Sequence, residues 1–148
     1  MKIGLDLDKT QVLSSDEALT LDHAPKTIAV IGAGAVGCEF ADVFNAFGSK
    51  VTILEVMDRL LPVEDEDCSG ELAKAFKKRG IEIITGAKLG TAKKAKGGVT
   101  IPVEANGAKQ EMTFDVVLVA AGRAPNVESI GAKEAGVQLT EQIGRAHV

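Results

Sequence analysis

Hydrophobic residues along this chain fall alternately into short β-branched runs and into stripes with helical spacing. The run Thr27–Ile31 ends at a glycine and is typical of a strand buried in a parallel sheet. From Gly34 to Phe47 the spacing predicts a helix, and Gly48 follows where a helix often ends in a left-handed residue. We expect one buried stripe on this helix, formed by Val36, Phe40, Val43, Phe44 and Phe47.

The alternation continues through a second strand, a second helix and a third strand. Val51–Glu55 and Ile81–Ile84 predict the two strands. The helix between them has acidic residues at 65–67 and basic residues at 77–79, which suits the helix dipole, and Gly80 follows it. Its predicted buried stripe consists of Cys68, Leu72, Ala75 and Phe76.

Residues 88 to 114 break this alternation. The pair Asn106–Gly107 is a strong hairpin signal, so a small antiparallel meander is predicted instead of a third crossover helix. Pro102 lacks an N–H group, which predicts an edge position for its strand. Val116–Ala120 then predicts a final buried strand that stops at Gly122.

These elements predict an α/β fold. It is a Rossmann-like dinucleotide-binding domain, with a parallel sheet that has helices on both faces and a small antiparallel β-meander. Upstream of the first strand, Ser14 and Glu17 have the spacing of a capping box and predict a short helix.

Composition and charge exclude several classes of function. The 148 residues carry a net charge of -4 and contain no Trp or Tyr, so no nucleic-acid surface is expected. No apolar run is long enough for a membrane span. The two cysteines, Cys38 and Cys68, lack the spacing of a metal site or a redox pair, and nothing at the start resembles a leader. A cytoplasmic protein is therefore expected.

The chemistry is concentrated in the glycine-rich segment 32–37, Gly-Ala-Gly-Ala-Val-Gly, between the first strand and the first helix. Gly32 permits the tight turn, and Gly34 lets backbone N–H groups approach a pyrophosphate. Gly37 lets the helix pack closely on the strand. The partial positive charge of the helix N-terminus then faces the phosphates.

Glu55 ends the second strand, where a carboxylate can accept hydrogen bonds from both hydroxyls of an adenosine ribose. It would oppose a 2′-phosphate by about 4 kcal/mol at ~4 Å and an effective dielectric of ~20, which favours NAD over NADP. Arg59 weakens this exclusion if it reaches a phosphate. The alternative to a nucleotide site is that the glycine-rich segment is only a tight connection between strand and helix, and that Glu55 is a solvated residue at the end of its strand.

Two blocks carry a family resemblance. Residues 32–62, GAGAVGCEFADVFNAFGSKVTILEVMDRLLP, and residues 116–126, VVLVAAGRAPN, are similar to the NAD-binding domain of the dihydrolipoyl dehydrogenase branch of the pyridine nucleotide-disulfide oxidoreductase family. The likeness covers about residues 4–140. It implies an FAD-containing homodimer that oxidises dihydrolipoamide on lipoyl domains of 2-oxo acid dehydrogenase or glycine cleavage complexes. Electrons would pass through a redox disulfide and FAD to NAD.

The resemblance also implies a set of cofactor-binding residues. Glu55 would hold the ribose, Leu89 would lie along the adenine, and Gly122 would approach the dinucleotide through its backbone. Read without the family, Glu39 is a surface residue beside Asp42, and Leu89 is a packing residue of the meander. The implied NAD turn consists of Gly32, Ala33, Gly34, Ala35, Val36, Gly37, Cys38 and Glu39.

The family's redox disulfide, C-x-x-x-x-C, matches neither cysteine, so no catalytic residue and no metal ligand is predicted. His23 and His147 are expected at the surface. We expect four segments: 1–24 leading in from an FAD domain absent here, 25–126 as the NAD-binding domain, 127–142 as the return segment, and 143–148 as a non-native tail resembling translated adapter DNA.

Three alternatives stay open. Mercuric reductase and soluble transhydrogenase are related flavoproteins, and a free-standing NAD-binding or redox-sensing module would have no catalysis. Alone, this chain is expected to bind NAD weakly and to turn nothing over, because a hydride partner must lie ~3–3.5 Å from the nicotinamide.

Overall fold

The structure is a computed structural model that describes Gly4 and residues 6–122, 129–132 and 134–137. The strands and helices predicted between residues 27 and 119 are confirmed to within about two residues. In chain order the elements are β1 (Val12–Leu13), α1 (Ser15–Ala18), β2 (Thr27–Ile31), α2 (Ala35–Ala46), β3 (Lys50–Leu54), α3 (Glu66–Lys78), β4 (Glu82–Ile84), β5 (Lys88–Leu89), β6 (Lys93–Ala95), β7 (Gly98–Ala105), β8 (Ala108–Phe114) and β9 (Val116–Val119).

Two sheets organise the fold, and they confirm the predicted Rossmann-like class with its antiparallel meander. The larger sheet is parallel, with the strand order β1-β9-β2-β3-β4. In the smaller sheet, β7 pairs antiparallel with β5, β6 and β8. Ile31 of β2 is in register with both Leu54 of β3 and Val119 of β9. The carboxyl ends of these three strands therefore lie side by side, which is where open α/β sheets bind ligands.

The prediction of helices on both faces is wrong in this respect: α1, α2 and α3 all pack on one face of the parallel sheet, and the meander covers the other. Phe44 and Phe76 belong to a core with Val30, whereas Ile101 belongs to a core with Ile31. Crossovers are right-handed. The steps from β2 to β3 to β4 run in one direction and place both helices on one face. The return from β4 to β9 runs in the opposite direction across the sheet. Its connection, the meander, therefore lies on the opposite face.

The predicted buried stripe of α2 is largely wrong. Val43 is 46% exposed and Phe47 is 73% exposed, while Val36 and Phe40 are only partly covered. The buried residues of this helix are Gly37, Cys38, Ala41 and Phe44. Small residues on this face let the helix lie close to the sheet, and a stripe chosen by hydrophobicity alone overlooks them.

The predicted stripe of α3 is wrong at two positions. Cys68 and Ala75 are exposed, whereas Ser69 is buried and Ala73 packs partly against the core. The hydroxyl of Ser69 donates to the Leu60 carbonyl oxygen at 2.6 Å, so burying this polar group costs little. Elsewhere in the stripe the prediction is confirmed, since Phe76 is buried and Leu72 packs against the core.

The edge position predicted for Pro102 is wrong, because its strand β7 has partners on both sides. The Pro102 carbonyl oxygen accepts from the N–H of Gly90, the residue after β5, at 2.8 Å. The backbone groups of Pro102 therefore face β5 and not β8. The missing N–H therefore lies on the side of β5, just beyond the paired residues Lys88–Leu89, and leaves the pairing of β7 with β8 intact. The hairpin predicted at Asn106–Gly107 is confirmed, with φ of 50° and 76°.

The capping box upstream of the first predicted strand is confirmed: Ser14 N–H donates to the Glu17 carboxylate at 3.0 Å, and α1 follows. Sequence patterns did not predict β1, which pairs with β9 and is fully buried. The packed core therefore includes Val12, Leu13 and Ala18, while the division of the chain into segments stays a prediction. Residues 123–128, 133 and 138–148 lie outside the described residues, and they include half of the predicted return segment 127–142 and the whole predicted tail. Within the described ranges, no helix is long and apolar enough to cross a membrane.

Candidate functional site

A cleft of about 1600 Å³ opens at the carboxyl edge of the parallel sheet. Its walls come from the turn between β2 and α2, from the end of β3 and from the segment that follows β9. Most residues with a predicted role in cofactor binding meet there. Those that line it are Gly32, Gly34, Ala35, Val36, Glu39, Glu55 and Gly122.

The glycine turn has the conformation that its sequence predicts. Gly32 has φ +100°, and a Cβ there would lie 2.6 Å from the Ala120 carbonyl oxygen, so only glycine fits. The N–H of Gly32 donates to the Leu54 carbonyl oxygen at 2.9 Å, which ties the turn to β3. At Gly37 a Cβ would lie 2.0 Å from the Gly32 carbonyl oxygen. The same Cβ would lie 3.4 Å from the Val30 Cγ1 of β2, so the helix packs closely on the strand, as predicted.

The N-terminus of α2 is open toward the cleft. Gly34 is the N-cap residue, no side chain caps the helix, and its first turn has no acidic residue. The first N–H groups of any helix have no partner within it, and they concentrate the positive end of the helix dipole. Here they belong to the segment 34–36 that lines the cleft. This arrangement can bind a phosphate or another anion.

The carboxylate of Glu55 lies in the floor of this cleft and is only 5% exposed, so it is no solvated strand end. One oxygen, Oε2, accepts from Ala33 N–H at 2.6 Å. The other, Oε1, accepts from Met57 N–H at 2.8 Å. Each carboxylate oxygen has a second lone pair, so the group can still accept hydrogen bonds from two hydroxyls.

Arg59 does not line the cleft. Its guanidinium donates to the Glu66 carboxylate at 2.6 Å and to the carbonyl oxygens of Pro62 and Glu64 at 3.2 and 3.3 Å. These contacts hold the side chain against the start of α3. A basic group that could pair with a 2′-phosphate is thus engaged elsewhere.

The carbonyl oxygen of Ala33, within the turn, accepts two further hydrogen bonds. The Ala33 carbonyl oxygen accepts from Leu61 N–H at 2.8 Å and from the Cys38 thiol at 3.4 Å. Burial, together with the negative charge of Glu55, raises the pKa of Cys38 to about 11. Sequence reasoning missed Leu61 and Met57, because both act through backbone N–H groups that no residue pattern reveals.

Three further predicted residues lie apart from the turn. Glu39 is exposed on α2, and Gly122, with φ +113°, follows β9; both border the cleft. Leu89 lies on β5 and borders a different groove of about 450 Å³, together with Pro102. Leu89 comes two residues after Ala87, whose N–H donates to the Glu55 carbonyl oxygen at 2.9 Å, and its adenine role stays a prediction. Among the described residues, no group of three or more His, Cys, Asp or Glu could hold a metal ion.

Comparison with known proteins agrees with this geometry. The family described as "Pyridine nucleotide-disulphide oxidoreductase" matches residues 4–146. Dihydrolipoyl dehydrogenase of Bacillus subtilis is 39% identical over 136 residues, which are 90% of this chain and 29% of the relative. Dihydrolipoamide dehydrogenase of Chaetomium thermophilum is 41% identical over 142 residues, 94% of this chain and 28% of the relative. The chain thus spans less than a third of the length of these relatives.

Solved structures show the same fold. LpdA from Mycobacterium tuberculosis superposes with a TM-score of 0.80 at 27% identity, covering 95% of this chain and 30% of that one. The HOCl-induced flavoprotein disulfide reductase RclA from Escherichia coli superposes with a TM-score of 0.78 at 33% identity, covering 93% and 30%.

Proposed function

Because this chain belongs to the pyridine nucleotide-disulphide oxidoreductase family, we propose that its cleft binds NAD. The chain would be the NAD-binding domain of a flavoprotein dehydrogenase of the dihydrolipoyl dehydrogenase type. The observation that carries this proposal is the convergence of an uncapped helix N-terminus and a buried carboxylate, Glu55, in one cleft. The first suits a pyrophosphate, and the second suits the adjoining ribose.

The residues present fit NAD. A Cβ on Gly34 would have no neighbour within 4 Å, so backbone N–H groups border open space at the place required for phosphates. Gly32 through Cys38 would form the turn around the pyrophosphate, Glu39 would lie toward the nicotinamide, and Gly122 would contact the dinucleotide through its backbone. Leu89 would lie along the adenine, because its strand follows Ala87, whose N–H donates to the Glu55 carbonyl oxygen.

Discrimination against NADP rests on charge. A 2′-phosphate would lie near the Glu55 carboxylate, and about 4 kcal/mol per unit charge opposes it at ~4 Å and an effective dielectric of ~20. Arg59 gives no compensation, because its guanidinium is bound to Glu66 and to the 62–64 backbone.

For the parent enzyme we propose the reaction of dihydrolipoamide with NAD⁺ to give lipoamide, NADH and a proton. When bound, FAD supplies the relay between dithiol and nicotinamide, and we place it with the redox disulfide in the length by which the relatives exceed this chain. The partners would be lipoyl domains of 2-oxo acid dehydrogenase or glycine cleavage complexes, and the parent would be a homodimer.

The proposed location is the cytoplasm. Cys38 and Cys68 are both free thiols, which is usual in a reducing compartment. A different substrate within the family is the main competing proposal, since RclA shares this fold at 33% identity.

Calorimetric titration of the 148-residue chain with NAD⁺ and NADP⁺ tests the proposal. We expect NAD⁺ to bind at least about tenfold more tightly, as the charge argument requires. Adenosine should bind more weakly than either, because it lacks phosphates. Equal affinity for both dinucleotides would refute the role given to Glu55, and no binding of NAD⁺ would refute the proposed function.

A further inference from the structure

Glu55 is already engaged before any nucleotide arrives. Both of its carboxylate oxygens accept hydrogen bonds from backbone N–H groups, at 2.6 Å from Ala33 and at 2.8 Å from Met57. The side chain is 5% exposed. We infer that Glu55 is also a positioning residue that holds the glycine turn in its phosphate-binding conformation. This inference deepens the proposed function and rests on it only for the identity of the ligand.

The two peptide groups on either side of Ala33 show how the positioning works. In a trans peptide, the C=O and the N–H of the next residue point in opposite directions. Glu55 draws the Ala33 N–H toward β3, so the Gly32 carbonyl oxygen points the other way, toward Gly37. Leu61 N–H draws the Ala33 carbonyl inward at 2.8 Å. The Gly34 N–H in the same peptide group therefore points away from Leu61, on the side where Gly34 borders the cleft.

The same carboxylate also joins two loops. Ala33 follows β2, whereas Met57 follows β3, and the Glu55 side chain bonds to both. Loss of the carboxylate leaves the N–H of the fully buried Ala33 and the part-buried N–H of Met57 without their acceptor. Because an unpaired buried N–H is costly, the peptide group between Gly32 and Ala33 is then free to rotate. Ribose recognition and phosphate recognition thus depend on one residue.

The change in diphosphate affinity on neutralising Glu55 distinguishes a positioning role from ribose binding alone. A carboxylate repels a nearby diphosphate. If Glu55 only accepts hydrogen bonds from ribose hydroxyls, neutralising it should leave unchanged, or strengthen, the binding of a diphosphate that lacks those hydroxyls. If Glu55 positions the turn, the same change should weaken that binding.

The experiment compares ADP with 2′,3′-dideoxy-ADP as ligands of the 148-residue chain and its Glu55→Gln variant, by calorimetry. In Glu55→Gln the amide oxygen can serve one N–H, but the amide NH₂ faces the other. We expect the variant to bind 2′,3′-dideoxy-ADP about tenfold more weakly than the unchanged chain does. Asp58→Asn is the matched control, because it makes the same charge change at an exposed position three residues further on.

Equal or tighter binding of 2′,3′-dideoxy-ADP by Glu55→Gln would overturn the inference. Amide hydrogen exchange in the nucleotide-free chain gives a second test that is independent of ligand identity. We expect Ala33 or Met57 to exchange at least about tenfold faster in Glu55→Gln than in the unchanged chain, and unaltered exchange at both would also overturn the inference.

If no nucleotide binds at all, the proposed function fails, while the exchange measurement still decides the positioning role. If Glu55→Gln does not fold, exchange in Glu55→Asp decides it. The shorter side chain keeps the charge but cannot reach both loops, so faster exchange at one of the two amides is expected, and unaltered exchange at both would count against the inference.

Discussion

Gly34 and Gly37 lie one helical turn apart, yet their surroundings are opposite. A Cβ on Gly34 would meet no atom within 4 Å, whereas a Cβ on Gly37 would lie 2.0 Å from the Gly32 carbonyl oxygen. The first glycine keeps space free at the cleft, and the second allows helix and turn to touch. Substitution should therefore separate binding from folding at these two positions.

Replacement of Gly37 should destabilise the fold. In Gly37→Ala, the clash with the Gly32 carbonyl oxygen forces α2 away from the turn and costs more than the roughly 1 kcal/mol that alanine contributes to a helix. We expect the free energy of unfolding to fall by about 1–3 kcal/mol in a urea titration. Gly70→Ala is the control, because a Cβ there meets open space on α3 and should raise stability. Unchanged stability of Gly37→Ala would contradict the packing described here.

Replacement of Gly34 should leave folding intact and remove nucleotide binding. The φ of −69° and ψ of 179° at Gly34 are accessible to any residue. The free energy of unfolding of Gly34→Val should therefore lie within about 1 kcal/mol of that of the unchanged chain. The added side chain would occupy the space proposed for the pyrophosphate. Calorimetry should then show no NAD⁺ binding at concentrations that saturate the unchanged chain. Undiminished binding would mean that phosphates lie elsewhere.

Asp8 should make stability depend on pH. Burial acts to raise its pKa, but the Lys94 ammonium and the N–H groups of residues 10–12 outweigh burial and hold the pKa well below its usual range. A lowered pKa in the folded state stabilises the protein above the unfolded value of about 4, and this contribution is lost as pH falls through the folded pKa.

We therefore expect Asp8→Asn to reduce the free energy of unfolding by about 1 kcal/mol at pH 7, after allowance for partial exposure. The difference between the two proteins should shrink as pH falls below about 4. Urea titrations at pH 7 and pH 3 measure it. A difference that grows toward low pH would refute the role of Asp8.

The two cysteines should differ in reactivity. The pKa of Cys38 is raised to about 11 by burial and by the charge of Glu55, so only about one thiol in a thousand is ionised at pH 8. Cys68 is exposed. Iodoacetamide at pH 8 should label Cys68 and spare Cys38, as mass spectrometry of the digested protein can show. Equal labelling of both would mean that the turn opens readily.

Much of the fold follows from local sequence patterns. Runs such as Thr27–Ile31 and the Asn106–Gly107 pair predict their elements because side-chain branching and tolerance of positive φ act within a few residues. The glycine turn and Glu55 were predicted to bind neighbouring parts of one dinucleotide, and they lie together because the ends of the neighbouring parallel strands β2 and β3 are in register. Leu89 was assigned by resemblance alone, and its strand lies on the other sheet.

The sequence by itself determined the order of strands and helices from β2 onward, the glycine turn and the carboxylate that follows the next strand, because each depends on short-range geometry. Only the tertiary structure decided that α1, α2 and α3 lie on one face, that α2 buries Ala41 and exposes Phe47, and that Glu55 bonds to Ala33 and Met57. These features depend on contacts between residues that are distant along the chain. They arise from crossover handedness, from the close approach of backbones and from hydrogen bonds to backbone N–H groups. The pattern of hydrophobic residues along the chain does not predict those contacts.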